Sequence, residues 1–115
     1  MIWNKYVLLT IITFLVTNVI VWYQLNGQLV WDFWKSTKGV IVSVILAIPV
    51  TLGFWLATKW GYEGLGSLWA VRFMGFATSM ISFPIMTWLY LGEAITLKTL
   101  VTILLAFIIM ILQLL

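Results

Sequence analysis

The chain has 115 residues, of which 64% are hydrophobic and 8% charged, where a soluble domain carries about 25% charged residues. So few charges exclude a water-facing globule, and the absence of Cys and His excludes disulfides, thiolate or imidazole metal sites, and Cys or His nucleophiles. The net charge of +3 comes from six basic residues spread singly along the chain, not gathered on the one basic face a nucleic-acid binder needs.

After a short polar start, Met1 to Lys5, an apolar run from Tyr6 to Tyr23 is long enough to cross a bilayer. It is longer than a signal-peptide core and is followed by bulky Trp22-Tyr23-Gln24, not a small-residue cleavage site, so it reads as a retained first span over about 6–23. Thr10, Thr13 and Thr17 recur at helical spacing and share one face, with Asn18 beside them. Such a stripe either hydrogen-bonds a neighbouring helix or lines a polar path.

The stretch from Gln24 to Lys38 is the longest polar connection. Asn26-Gly27 signals a turn, and Trp31, Phe33 and Trp34 alternate with Asp32, Lys35 and Lys38. That pattern suits a short amphipathic segment at the interface, or an aromatic gate over a cavity.

A second span is expected over about 39–58, with Ser43, Ala47 and Thr51 as a small-residue packing stripe. Pro49 lies inside it and removes a backbone hydrogen bond, either as a tolerated kink or as a hinge for alternating access. The glycine-rich KWGYEGLG, Lys59 to Gly66, reads as the second turn.

The third span covers about 67–91. Arg72 sits near its start, either snorkelling to the interface beside Glu63 or facing an internal cavity to hold an anionic group. Gly75, Ser79, Ser82 and Met86 form a packing face, and Pro84 marks a second bend or hinge. The GEAIT turn, Gly92 to Thr96, leads into a nearly uniform aliphatic fourth span over about 97–115, suited to face lipid or a partner.

With both termini and the second turn on one side, Lys5, Lys59 and Arg72 oppose Lys35, Lys38 and Lys98, three against three. Orientation follows the Lys/Arg bias of short loops, and this chain has none, which allows either insertion in both directions with antiparallel dimers or an orientation fixed by a partner. The acidic residues Asp32, Glu63 and Glu93 lie far apart, so no carboxylate cluster for a metal is expected.

The segment WLYLGEAITLKTLVTILLAFIIMILQ, with Gly92-Glu93 followed by Leu97-Lys98 and a long aliphatic helix, resembles the closing hairpin of the drug/metabolite transporter superfamily. The preceding ATKWGYEGLGSLWAVRFM, Ala57 to Met74, is similar to the second turn of its short, single-repeat members, including the small multidrug resistance proteins. The resemblance implies a four-helix unit that dimerises to build one substrate path between two copies. Gly92, Glu93 and Lys98 match the motif and read as structural, Gly92 making the turn and Glu93 favouring the dipole of the fourth helix. Two features depart from the small multidrug exporters. The first span carries no membrane-embedded Glu, so proton-coupled export of cations lacks its coupling group, and the fourth span has no glycine for dimer packing.

These readings combine into an all-α integral membrane four-helix bundle, one transmembrane domain over residues 1–115, in a bacterial inner (plasma) membrane. The expected activity is carriage of a small neutral or anionic solute by an oligomer, through a site where Thr13, Thr17, Asn18 and Arg72 converge. The alternative is a non-transporting accessory subunit of a larger membrane complex. Expected partners are the lipid bilayer and a second copy or other membrane subunits, with no nucleic acid. No cofactor or metal and no enzymatic activity are expected, since no span pairs an acid with a base.

Overall fold

The computed structural model describes residues 4 to 115. Of the polar start expected over Met1 to Lys5, the first three residues lie outside it. The fold is all-α, with no strand among the described residues. Helix α1 spans Lys5–Asn26 and runs into a 3₁₀ turn, Gly27–Leu29. The short α2 is Asp32–Lys35, α3 is Thr37–Leu65, α4 is Leu68–Leu91 and α5 is Leu97–Leu114. Four of these are long and apolar enough to cross a membrane, and together they make an integral membrane four-helix bundle.

Local chemistry sets the ends of these helices. Each long helix begins at a polar cap whose side-chain oxygen accepts from an unpaired backbone N–H. The Asn4 carbonyl oxygen takes Tyr6 N–H at 2.9 Å and Val7 N–H at 3.1 Å. Ser36 does the same for Gly39 at 3.3 Å, Ser67 for Ala70 at 3.4 Å and Thr96 for Thr99 at 3.3 Å. Helices α3 and α4 each stop at a left-handed glycine, Gly66 at φ 72° and Gly92 at φ 69°.

The glycine-rich stretch from Lys59 differs from the expected turn. Helix α3 continues through it to Leu65, and only Gly66 turns the chain. At 29 residues the helix is about 44 Å long, more than the hydrocarbon core requires. Its glycines serve a packing face. A Cβ on Gly64 would lie 2.9 Å from the Val7 backbone nitrogen, and one on Gly61 would lie 3.1 Å from the Thr10 methyl. A Cβ on Gly53 would strike the Thr17 hydroxyl. Gly53, Ala57, Gly61 and Gly64 therefore let α3 lie close along α1, antiparallel, with Val7 opposite Gly64 and Thr17 opposite Gly53. In lipid, close packing of this kind replaces the missing hydrophobic drive between helices.

Near the other end of the same seam, Gln24 and Ser43 exchange hydrogen bonds. The Gln24 amide donates to the Ser43 carbonyl at 2.9 Å, and the Ser43 hydroxyl donates to the Gln24 carbonyl at 3.0 Å. The innermost cluster is Phe14, Ala57, Val71 and Met74, closed by Met110 and Leu114 of α5. Helix α5 packs chiefly along α4 and buries only Ala106. Pro49 and Pro84 both lie inside uninterrupted helices, Pro49 exposed on α3 and Pro84 half-buried on α4.

Candidate functional site

A cavity of about 980 Å³ opens between α3 and α4, with α1 as its floor. Helix α1 contributes Phe14, Asn18 and Val21, and α3 contributes Phe54 and Thr58. Helix α4 supplies the longest wall, including Trp69, Arg72, Gly75, Phe76 and Ser79. From Leu68 at one end of that wall to Ser79 at the other is about 16 Å along the helix axis. The cavity thus runs from the membrane surface beside the α3–α4 turn toward the bundle centre. Gly75 lets the Phe14 ring lie against α4, since a Cβ there would sit 2.9 Å from it.

The walls are mostly apolar and aromatic, with a few polar groups. Arg72 is exposed and lies at the surface end. The pairing with Glu63 suggested by the sequence does not form. Asp32–Lys35, at 3.9 Å, is the ion pair found among the described residues, and it is solvent-exposed and of little energetic worth. Asn18 stands deeper. Its amide donates to the Thr78 hydroxyl at 3.2 Å. Thr78 spends its own proton on the Met74 and Gly75 carbonyls, both at 2.9 Å. Asn18 must therefore be the donor to Thr78, which leaves its carbonyl oxygen without a partner among the described residues.

Of the residues expected to converge, Asn18 and Arg72 line this one cavity. Thr17 is buried against Gly53 in the α1–α3 seam, and Thr13 is half-buried and outside the lining. Thr10 returns its hydroxyl to the Tyr6 carbonyl at 2.7 Å. The threonine stripe thus packs helices, while the adjacent stripe Phe14, Asn18 and Val21 faces the open space. The aromatic lining carried no distinguishing mark in the sequence, because Phe54, Trp69 and Phe76 look like any lipid-facing residue of an apolar span.

Beyond Val21 and Ser79 the bundle is filled. Trp22, Ser82, Met86 and Thr87 are buried there. The Trp22 indole N–H donates to the Thr87 hydroxyl at 3.1 Å, and Ser82 bonds the Thr78 carbonyl at 2.9 Å. An aromatic cluster covers this end. Trp22 stacks on Tyr90 with centroids 5.2 Å apart, Tyr23 stacks on Trp31 at 6.0 Å, and Trp31 meets Tyr90 edge-on at 5.4 Å. The Tyr23 and Tyr90 hydroxyls are hydrogen-bonded to each other. The cluster ties the ends of α1 and α4 to the first connection, so the cavity has an open end and a plugged end.

The GE turn lies at the plugged end. Gly92 makes the reversal, and its N–H reaches the Trp88 carbonyl at 3.1 Å. Glu93 lies three residues ahead of the Thr96 cap and outside the first turn of α5, so Thr96 rather than Glu93 serves the helix start. Lys98 is exposed in that first turn. No group of three His, Cys, Asp or Glu side chains is placed to hold a metal among the described residues.

The fold and site define an all-α integral membrane protein with a laterally open cavity between α3 and α4. Comparison with protein-family models, curated proteins and solved structures finds no match to the chain.

Proposed function

We propose that the protein is a small membrane carrier, working as an oligomer, that moves a small neutral or anionic solute across a bacterial inner (plasma) membrane. The observation that carries this reading is the cavity of about 980 Å³ that reaches from the Arg72 level to the bundle centre and stops at an aromatic plug. Its size matches sites for small organic molecules, which run to about 1,000 Å³. Its lining holds one cationic side chain and no carboxylate, which favours anions and neutral molecules over cations. An open end and a plugged end are what one half of an alternating-access cycle needs, and the prolines inside α3 and α4 are candidate hinges for the other half. The likeness of the GE hairpin to drug/metabolite transporters agrees with this reading. No enzymatic role is proposed.

Uptake of small organic anions into proteoliposomes tests the assignment. Wild-type protein should accumulate them above empty vesicles, and Arg72→Ala should abolish the uptake. Unchanged uptake in that variant would return Arg72 to headgroup contact.

A second reading is favoured by α5, which buries only Ala106 and leaves an aliphatic surface outward along the whole helix. A subunit that docks into a larger membrane complex would present such a surface. Purification in mild detergent separates the two readings. A homogeneous homo-oligomer supports the carrier, and a different chain in fixed stoichiometry supports the subunit.

A further inference from the structure

Resting on the carrier reading, we infer that the cavity binds a particular class of solute: an amphiphilic organic monoanion with an apolar body and a hydrogen-bond donor at its far end. Three features place these requirements. Arg72 lies at the surface end of the cavity and has no ion-pair partner among the described residues, so it meets the anionic group. Between Arg72 and the deep end the walls are Phe14, Phe54 and Phe76, which accept a hydrocarbon or aromatic body. At the deep end the Asn18 carbonyl oxygen is unpartnered, because the Asn18 amide is committed to Thr78. That oxygen only accepts, so the group it meets must donate, as a hydroxyl or an amide N–H does.

The Ser79 hydroxyl lines the same end and makes no hydrogen bond among the described residues. Arg72 and Ser79 are seven residues apart on α4, about 10 Å along its axis. The ligand therefore carries its charge and its donor about that far apart. A purely hydrophobic anion leaves the Asn18 oxygen unsatisfied inside an apolar site, and an uncharged diol leaves Arg72 unpaired. Each omission weakens binding.

Calorimetric titration of the protein in nanodiscs with three probes tests this, with empty nanodiscs subtracting partition into lipid. The probes are ω-hydroxyoctanoate, octanoate and octanediol, whose extended lengths suit the spacing. Wild type should bind ω-hydroxyoctanoate about tenfold more tightly than either of the others. Asn18→Leu should remove the preference over octanoate alone, and Arg72→Gln the preference over octanediol alone. Equal affinity of wild type for octanoate and ω-hydroxyoctanoate overturns the inference without use of any variant. So does an Asn18→Leu protein that keeps the full preference. Proteoliposome flux separates this from the carrier reading. Selective binding without flux keeps the ligand class and removes transport, whereas flux of octanoate with no preference for the hydroxyl keeps transport and overturns the ligand class.

Discussion

Thr17 and Asn18 are neighbours in sequence, yet they face different environments. Thr17 is buried against α3, where its hydroxyl occupies the space a Gly53 side chain would need. Asn18, about 100° further round the helix, faces the cavity and reaches Thr78 on α4. The first position is under steric demand and the second under hydrogen-bonding demand, and the two respond differently to substitution. Gly53→Ala should lower the midpoint of thermal unfolding in detergent, with a cost of about 1–3 kcal/mol as for other overpacked cores. Thr17→Ala opens the space, so the double variant should recover part of that loss. The coupling measured in the four-protein cycle should be about 0.5 kcal/mol or more. Strict additivity would show that the two helices do not meet at this point.

Among the elements, the plugged end gives the sharpest test, because the chain contains no Cys and any introduced thiol is unique. A cysteine at Ser79 should react with a water-soluble thiol reagent that reaches both faces of the membrane, because Ser79 lines the open cavity whichever way the chain is inserted. A cysteine at Thr87 should be protected from both sides, since that position is 8% exposed beneath Trp22 and Tyr90. Adding Tyr90→Ala removes the stacking on Trp22 and the bond to Tyr23, and labelling at position 87 should then appear. Persistent protection would leave Trp22 and Trp31, rather than Tyr90, as the barrier over position 87. How much of this could be read from the chain depended on which physical signal each element carries. The long helices were legible because crossing lipid demands an uninterrupted apolar run, and that demand is written residue by residue. The end of α3 was not, because glycine signals a turn and a close helix contact equally well, and only the position of Val7 and Thr10 across the seam separates the two. In the site, Asn18 and Arg72 stood out as polar residues in apolar surroundings. Phe14 and Phe54 did not, because lipid is as apolar as a bundle interior and hydrophobicity cannot tell the two faces apart.

At the scale of the whole molecule, charge and shape make different demands on orientation. The fold has two distinct ends, an open one beside the α3–α4 turn and a plugged one beside the first connection and the GE turn. The basic residues do not distinguish them. Lys5, Lys59 and Arg72 belong to the open end, and Lys35, Lys38 and Lys98 to the plugged end. Since retention of Lys and Arg on the cytoplasmic side sets orientation, this balance should let the chain insert both ways, placing open ends on both faces of the membrane. Reporter fusions at the carboxy terminus that are active only inside or only outside should therefore both give signal. Lys5→Gln leaves two basic residues against three and should turn the plugged end, with its first connection, toward the cytoplasm. The carboxy terminus, on the opposite side, should then be reported chiefly outside. Glu63 and Glu93 count little here, because the rule follows basic residues and not net charge. A wild-type chain that already reports from one side would mean that something other than its own charges, such as a partner subunit, sets its direction. The same result would move the weight of evidence from the carrier toward the subunit.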